Sequence, residues 1–297
     1  MVSLEKKNYH PRDDLILFNN SRHAYSTKKC PYLRSVTKVV YSQFPAFDKI
    51  KVSKKIENKK QYTGMNAREI RKMWEVNGKE ARDAGTLLHA QIENYYNGEE
   101  VEADESDVAL DQFLEWDAAH EDWVPYRTEW KIFDADLKIA GTIDAVFKDE
   151  NGQFVMVDWK RCKEIKKNNR FDSASGTGLE HIPDCNFAKY SMQLNLYKLM
   201  LENNYGLSVS RMIIANFHPD QSSFHELEAM DMNKELQLVF SSPVATALRA
   251  EGNLRSAEGT ALRAEGKRGG GGVLTELKSG KEIKITGTFI LSQINEQ

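Results

Sequence analysis

Residues 129–160, EWKIFDADLKIAGTIDAVFKDENGQFVMVDWK, decide the fold of this chain. They belong to three runs with β-strand character, at 126–133, 138–147 and 153–160. The first run alternates polar and apolar side chains, and the Asn151–Gly152 dipeptide between the second and third runs is a strong hairpin signal. The sequence therefore predicts three consecutive strands.

These strands carry Glu129, Asp144, Asp158 and Lys160. Side chains two residues apart in a strand point to the same face, so Asp158 and Lys160 share a face and Trp159 points the other way. A carboxylate beside an ammonium, opposite a second carboxylate on the neighbouring strand, can hold a hard divalent cation. The lysine can then orient a water or stabilise charge on a phosphate oxygen.

The composition fits a protein with a sizeable core and no membrane span. Of the 297 residues, 40% are hydrophobic, and the chain has neither an apolar run near ~18 residues nor a signal-peptide pattern. We therefore expect a soluble, intracellular protein, with cytoplasm or nucleoid, nucleus and viral factory all open as its location. The net charge of −3 gives no overall nucleic-acid signature, so anion binding must come from local patches. The three cysteines form no C-x-x-C pair, which indicates neither a disulfide framework nor a structural zinc site.

The chain before the strands is predicted to be a polar arm followed by helices. Residues 1–30 are poorly periodic and are expected to form a loosely held N-terminal arm. Ser35 can cap a short helix, and His89 and Glu93 stand four residues apart on one helical face. The lysine-rich run 49–60 is either a solvated helix face or a phosphate contact. Apolar spacing and capping residues predict longer helices at 66–76, 79–96 and 108–122.

A long basic loop follows the strands. Residues 161–184 are expected to lack regular structure, with a basic first half and a flexible middle at 173–178. Long loops in compact domains are functional or disordered, and this one leaves directly from the predicted site, which favours a substrate contact. Beyond the loop, the sequence predicts a helix at 186–203, strands at 211–217 and 223–229, and a helix at 231–240.

The chain changes character after about residue 241. Residues 241–272 repeat Leu-Arg-Ala-Glu-Gly-like units and end in four glycines, which indicates a low-complexity linker with too little apolar surface to fold alone. Residues 273–297 are expected to form a hairpin-like tail.

Four motifs, in this order, resemble those of the PD-(D/E)XK nuclease superfamily, and within it the RecB-like exonucleases. The motifs are a helical histidine segment, a G-x-x-D strand, a D-x-K strand and a Q-x-x-x-Y helix, at Gly85–Glu93, Gly141–Asp144, Val157–Lys160 and Gln193–Tyr197. Each motif alone is weak, but four in the family's order with plausible spacing are specific. The Ser35-Val36-Thr37 segment is also similar to mitochondrial genome maintenance exonucleases and related viral or phage proteins.

The resemblance implies a role for each matching residue. His89, Asp144 and Asp158 would hold Mg²⁺ or Mn²⁺, aided by the backbone carbonyl of Trp159, with Glu129 as a further candidate ligand. Lys160 would position the attacking water and stabilise the transition state.

Further residues are expected to support this site. Gln193 and Tyr197 would orient the site or the scissile strand, and Glu93 would support His89 or the metal from outside the coordination sphere. The predicted DNA contacts are Arg161, Lys163, Lys166, Lys167, Ser35 and Thr37.

The resemblance also implies the fold and the domain organisation. It predicts an α/β (α+β) restriction-endonuclease-like core, with a mixed central β-sheet flanked by helices and an N-terminal helical region. The nuclease domain would span 31–240, divided into a helical part, 31–122, and a catalytic core, 123–240. Three cysteines cannot supply the four ligands of the iron–sulfur members, so no cluster is expected. The absence of a P-loop motif predicts a nuclease without a helicase.

The expected activity is metal-dependent hydrolysis of DNA phosphodiester bonds. The simplest form is an exonuclease that prefers single strands and acts in replication, repair or recombination, with single-stranded DNA or DNA ends and replication or recombination proteins as partners, and no membrane. Two alternatives stay open. One is a nucleic-acid-binding protein of the same fold without turnover, which would bind DNA without a cation and without hydrolysis. The other is an endonuclease of the restriction type.

Overall fold

A mixed β-sheet of six strands lies at the centre of the molecule. The computed structural model describes residues 2–103 and 107–241. The strands are β1 (Ile16–Asn19), β2 (Ala24–Thr27), β3 (Arg34–Ser35), β4 (Val124–Asp134), β5 (Ile139–Lys148), β6 (Phe154–Lys160), β7 (Val209–Asn216) and β8 (His225–Glu228). The helices are α1 (Leu4–Lys7), α2 (Val36–Tyr41), α3 (Lys49–Ile56), α4 (Ala67–Asn97), α5 (Val108–Ala119), α6 (Asn186–Asn204) and α7 (Asn233–Ser241).

Strand β5 organises the central sheet because three strands pair with it. Along one edge it pairs with β4, antiparallel, over its whole length. Its other edge is shared: β3 pairs in parallel at Ile139 and Ala140, and β6 pairs antiparallel from Ala145 to Lys148. The sheet then continues in the order β6, β7 and β8. This edge of β5 is therefore open from Gly141 to Asp144, between the two pairings.

Hydrophobic cores cover both faces of the sheet, as expected for a sheet flanked by helices. Helices α2, α6 and α7 pack on one face, where Tyr197 is buried. Helices α4 and α5 pack on the other face, around Phe113, Trp116 and Trp159. Trp159 thus points away from Asp158, which contacts α6 through Gln193, as the period of a strand predicts. The α/β fold with a mixed central sheet flanked by helices is confirmed.

The N-terminal segment is packed, so the prediction of a loosely held arm over 1–30 is wrong for residues 2–30. Strands β1 and β2 form an antiparallel hairpin, and Leu4 and Tyr25 are buried. Asp13 forms an ion pair with Arg127 of β4, at 2.7 Å, and accepts a hydrogen bond from Trp130 Nε1 at 2.9 Å. These partners lie more than 100 residues away in sequence, so local periodicity carried no sign of them.

The helical region also differs from the prediction in one respect. The two helices expected at 66–76 and 79–96 are one continuous helix, α4, which passes through Gly78. Glycine disfavours a helix by only about 1 kcal/mol, which neighbouring turns can outweigh. The predicted ends are correct: Asn66 and Glu69 form a capping box, and Gly98 ends the helix in the left-handed conformation.

The middle of the long loop is anchored rather than flexible. Ser175 donates its backbone N–H to the carbonyl of Gln43, and Leu179 is fully buried. The Leu179 side chain packs into the α2–α6 core, so hydrophobic burial fixes a segment that its small polar residues had marked as mobile.

The sequence also makes predictions for the C-terminal region, which begins at about residue 241. Apart from Ser241, the linker expected at 241–272 and the tail expected at 273–297 lie outside the described residues. Among the described residues, no helix is both long and apolar enough to cross a membrane.

Candidate active site

The open edge of β5 is the position around which the candidate site is built. Asp144 ends this open segment, and its Oδ2 accepts the backbone N–H of Trp159 at 2.9 Å. The Asp144 carboxylate thus makes a hydrogen bond to β6 where regular strand pairing is missing, and this bond fixes the carboxylate beside β6. At the other end of the segment, the Tyr197 ring lies against Gly141, where a Cβ atom would come within 2.6 Å of Tyr197 Cε1. The close approach of α6 therefore favours glycine at residue 141.

Three side chains converge beside this edge. His89, Glu129 and Asp144 each place one potential ligand atom so that all three atoms lie within 4.8 Å of one another. His89 Nδ1 is 3.3 Å from Glu129 Oε1 and 3.8 Å from Asp144 Oδ1. One imidazole nitrogen and two carboxylate oxygens could hold a divalent metal ion. Glu129, which the sequence offered only as a further candidate, therefore lies within the group.

The backbone at Glu129 is unusual. Its φ angle is +43°, although it lies within β4 and is not a glycine. Thr128 and Trp130 keep their register with Ala145 and Ile143, so Glu129 stands opposite Asp144 without forming the regular pair. A left-handed residue of this kind costs roughly 1–3 kcal/mol and persists only where its surroundings impose it. The strain aims the Glu129 carboxylate towards His89.

His89 is held by acceptors on both sides of its ring. Its Nε2 lies 3.2 Å from the carbonyl oxygen of Trp159, opposite the contact of Nδ1 with Glu129. Burial lowers the pKa of His89, but the charge of Asp144 and the hydrogen bond with Glu129 outweigh this effect and raise the pKa to about 9. The Trp159 carbonyl, which was expected to help hold the metal, therefore lies where it can fix the orientation of this ring.

Lys160 and Asp158 form an ion pair next to the His89, Glu129 and Asp144 side chains. Lys160 Nζ lies 2.5 Å from Asp158 Oδ2 and donates to the Trp159 carbonyl at 3.2 Å. Gln193 Nε2 donates to Asp158 Oδ1 at 3.3 Å, so both oxygens of this carboxylate are engaged. Burial raises the pKa of Asp158, and Lys160 opposes the rise, which leaves the pKa at about 6. Burial alone would lower the pKa of Lys160, but Asp158 and Asp144 keep it above its ordinary value.

A cleft of about 500 Å³ opens onto these residues. Most of the predicted site residues line it, namely Thr37, His89, Glu93, Glu129, Asp144, Lys160, Gln193 and Tyr197. Burial raises the pKa of Glu93, and the neighbouring negative charge of Glu129 raises it further. Asp158 and Trp159 do not line the cleft, because the former is 2% exposed and the latter packs on the opposite face of the sheet.

The N-terminal hairpin supplies an aromatic wall of the cleft that the sequence analysis missed. Phe18 of β1, His23 of the turn and Tyr25 of β2 all line it, with Phe18 and Tyr25 ring centroids 4.6 Å apart. Tyr25 Oη lies 2.9 Å from Thr142 Oγ1, two residues from Asp144, and this contact fixes the hairpin beside the site. The available signal was two short runs with β-forming residues, Ile16–Asn19 and Ala24–Thr27, on either side of a polar turn.

The predicted DNA contacts are spread over different places. Thr37 lies in the cleft, whereas the Ser35 hydroxyl accepts the backbone N–H of Lys38 and caps α2. Lys163 forms an exposed ion pair with Asp220 at 2.8 Å. The remaining residues, Arg161, Lys166 and Lys167, lie on the loop after β6 and do not line the cleft. This loop begins directly after Lys160, which does line the cleft.

Solved structures offer distant similarities. The crystal structure of SSO0001 is 16% identical over 72% of this chain and 75% of that chain, with a TM-score of 0.30. A protein named "Putative exonuclease" from Eubacterium rectale is 12% identical over 57% of this chain and 68% of that chain, with a TM-score of 0.35. No curated protein sequence matches this chain at a significant level.

One family matches a long, continuous part of the sequence. The model of the PD-(D/E)XK nuclease superfamily matches residues 106–264, that is 159 of the 297 residues. This range includes Glu129, Asp144, Lys160 and Tyr197, whereas His89 lies before it. Since the match covers more than half of the sequence, the chain belongs to the PD-(D/E)XK nuclease superfamily.

Proposed function

We propose that this chain is a metal-dependent deoxyribonuclease that acts as an exonuclease, prefers single strands and serves DNA replication, repair or recombination. One observation carries the proposal: His89, Glu129 and Asp144 bring their ligand atoms within 4.8 Å of one another, in a cleft that Lys160 also lines. Members of this superfamily depend on divalent metal ions and act on nucleic acids, so the geometry and the membership point to the same chemistry.

The charge and the donor atoms of the site fit a divalent cation. Glu129, Asp144 and Asp158 are three carboxylates against the single ammonium of Lys160, which leaves two negative charges when His89 is neutral. Oxygen ligands with one imidazole suit Mg²⁺ or Mn²⁺. His89 Nδ1, Glu129 and Asp144 would hold the ion directly, and Asp158 would join them through the oxygen that Gln193 or Lys160 releases. When bound, the ion would supply Lewis acidity and an activated water.

The chain's own residues perform the remaining tasks. The Trp159 carbonyl accepts from His89 Nε2, so Nδ1, which faces Glu129 and Asp144, is the nitrogen that would bind a metal ion after losing its proton. Lys160 stays protonated, because the neighbouring carboxylates raise its pKa, so it can stabilise negative charge that develops on a phosphate oxygen. Gln193 holds Asp158 in place, and Tyr197 closes the open edge of β5 at Gly141.

Cleavage of end-labelled DNA by the purified protein tests this proposal. We expect single-stranded DNA to be degraded in Mg²⁺ or Mn²⁺ and to stay intact in EDTA. Asp144→Asn and Lys160→Ala should reduce the rate by at least about 100-fold, as is typical for the loss of a group that stabilises transition-state charge. Lys148→Ala is the matched control, because Lys148 ends the same strand as Asp144 but lies over the Tyr126 and Phe154 rings, outside the cleft.

The same assay separates the alternatives. A protein that binds DNA without a cation and hydrolyses none would be the inactive binding protein of this fold. Closed circular single-stranded DNA has no end, so an exonuclease leaves it intact whereas an endonuclease opens it. Equal degradation of single-stranded and duplex DNA would contradict the strand preference, and equal activity of the Asp144→Asn variant would contradict the site.

A further inference from the structure

The loop after β6 presents an aromatic ring to solvent. Phe171 is 93% exposed, and no other large hydrophobic residue among those described exceeds 68%. A single exposed hydrophobic side chain needs no explanation by itself. Phe171 differs because of how its turn is held and which side chains surround it.

The turn that carries Phe171 is tied on both sides. Asn169 Oδ1 accepts the backbone N–H groups of Phe171 at 3.0 Å and of Asp172 at 3.3 Å. Asn169 Nδ2 donates to the carbonyl of Asp184 at 2.8 Å, and the backbone of Asp184 donates to that of Asp172 at 2.9 Å. The ring is thus held outwards on an ordered turn, which reduces the entropy that a ligand must overcome.

A cationic cavity lies beside the ring. It has a volume of about 440 Å³, and Phe171 is one of its lining residues. Its charged lining residues are Lys166, Arg170, Lys189 and Asp184. Asp184 is ion-paired with Lys189 at 2.5 Å, so the cavity has an excess of two positive charges on a protein whose net charge is −3. Lys166 also lies 3.8 Å from Glu164 Oε2 in an exposed pair, so Arg170 is the main cation that this cavity offers to a phosphate. The combination of an exposed aromatic face and a cationic lining complements a nucleotide, with its base and its phosphate.

Helix α6 connects this cavity to the catalytic cleft. Lys189 lines the cavity, and Gln193 lines the cleft. They are four residues apart and therefore lie on one helical face, separated by about 6 Å along the axis. Between them, the Tyr190 ring lies 4.9 Å from Lys160 Nζ. A single strand bound in the cleft can therefore extend along α6 to Phe171.

We propose that Phe171 and the cavity beside it form a nucleotide subsite, in which an unpaired base stacks on the Phe171 ring and its phosphates face Arg170 and Lys166. The subsite deepens the proposed function and rests on it. Stacking tolerates any base, so the subsite has no sequence preference. A base inside a duplex has both faces covered by its neighbours, and the subsite therefore selects single strands.

DNA binding in EDTA tests the subsite without cleavage. The probe is a fluorescein-labelled oligodeoxythymidine of about 12 nucleotides, within the range of single-strand sites, and binding is measured by fluorescence anisotropy. Phe171→Ala should raise the Kd for this probe by roughly 5- to 150-fold, which corresponds to the about 1–3 kcal/mol of one stacked base. Phe171→Trp should restore binding, since it keeps an aromatic face.

Two further variants separate stacking from charge and from general surface effects. Arg170→Ala should lower the magnitude of the slope of log K against log salt by about 0.7 for a single strand. Phe47→Ala is the matched control: Phe47 is 68% exposed, packs near Trp74 and lines neither cavity. It should leave the Kd unchanged.

The outcomes distinguish this inference from the proposed function. Unchanged single-strand binding by Phe171→Ala, an equal loss on a duplex of the same length, or no single-strand binding by the unaltered protein would each overturn the subsite. If the unaltered protein cleaves DNA in Mn²⁺ in any of these cases, the proposed function still stands. A protein that binds through Phe171 but never cleaves would keep the subsite and refute the nuclease.

Discussion

Gly141→Ala tests directly how the candidate site is packed. The added Cβ would stand 2.6 Å from Tyr197 Cε1 and 2.9 Å from Tyr197 Oη. Since ordinary contacts begin near 3.4 Å, the ring would have to retreat by about 0.8 Å. Tyr197 is 4% exposed and belongs to α6, so it cannot swing into solvent. The strain must therefore spread into the core beneath the site.

The magnitude follows from two opposing effects. Overpacking of a dense core costs about 1–3 kcal/mol, whereas replacing glycine stabilises by about 0.4–1 kcal/mol through the unfolded chain. The net loss in the free energy of unfolding should therefore lie between about 0 and 2.6 kcal/mol, with about 1.3 kcal/mol from the central values. A loss of 1 kcal/mol lowers the Tm by roughly 2–4 °C in a protein of this size. Cleavage should fall as well, because the shifted helix also carries Gln193, which holds Asp158.

The assay is urea denaturation followed by circular dichroism, with cleavage measured on the same samples. Gly85→Ala is the control: this glycine lies within α4 with no heavy atom within 4 Å of the added Cβ, so alanine should stabilise by about 0.5–1 kcal/mol. In a Tyr197→Leu background, Gly141→Ala should cost less, which a double-mutant cycle measures. A Gly141→Ala protein more stable than the unaltered one, with no change in that cost when Tyr197 is replaced by leucine, would refute the close approach of α6 to β5.

Three further predictions follow from the site and its surroundings. Because His89 has a pKa of about 9 and must lose a proton to bind a metal, the apparent Mn²⁺ affinity should rise roughly tenfold per pH unit between about pH 7 and 8.5. Calorimetric titration measures this affinity. The absence of such a rise, or the same rise in His89→Asn, would contradict the prediction. If a base stacks on the aromatic wall, Phe18→Ala should raise the KM for single-stranded DNA about tenfold. Leu17→Ala is the control and should leave the KM unchanged, because Leu17 lies on the other face of β1. Burial lowers the pKa of His120, but its hydrogen bonds with Glu226 and the Trp116 carbonyl and the charge of Glu226 together raise the pKa above its ordinary value. This stabilisation is therefore complete below about pH 6.5 and is lost as the pH rises through the folded-state pKa. The stability difference of about 1 kcal/mol between the unaltered protein and His120→Gln should therefore be larger at pH 6 than at pH 9, and a difference that grows with pH would show that the pair does not stabilise the fold.

Short-range patterns predicted most of the elements that carry the site. Alternation located β4, the Asn151–Gly152 turn located the hairpin of β5 and β6, and the capping box at Asn66 located the start of α4. These features were predictable because they depend on neighbours within a few residues. The packed N-terminal segment was not predicted, since its partners, such as Arg127 for Asp13, lie far away in sequence.

The sequence by itself determined the class of protein and supplied candidates for its site. The order and spacing of His89, Asp144, Lys160 and Tyr197 are properties of the chain, and together they indicated a nuclease of the superfamily to which the protein belongs. The period of a strand also determined that Trp159 would face away from Asp158.

Only the tertiary structure decided how these residues are arranged relative to one another. It placed Glu129 with His89 and Asp144 and set Asp158 behind them, engaged by Lys160 and Gln193. The physical reason is the left-handed backbone at Glu129, together with the open edge of β5, which is set by long-range pairing. Distances of a few ångströms between side chains on different elements depend on such pairing, and no local pattern in the sequence encodes them.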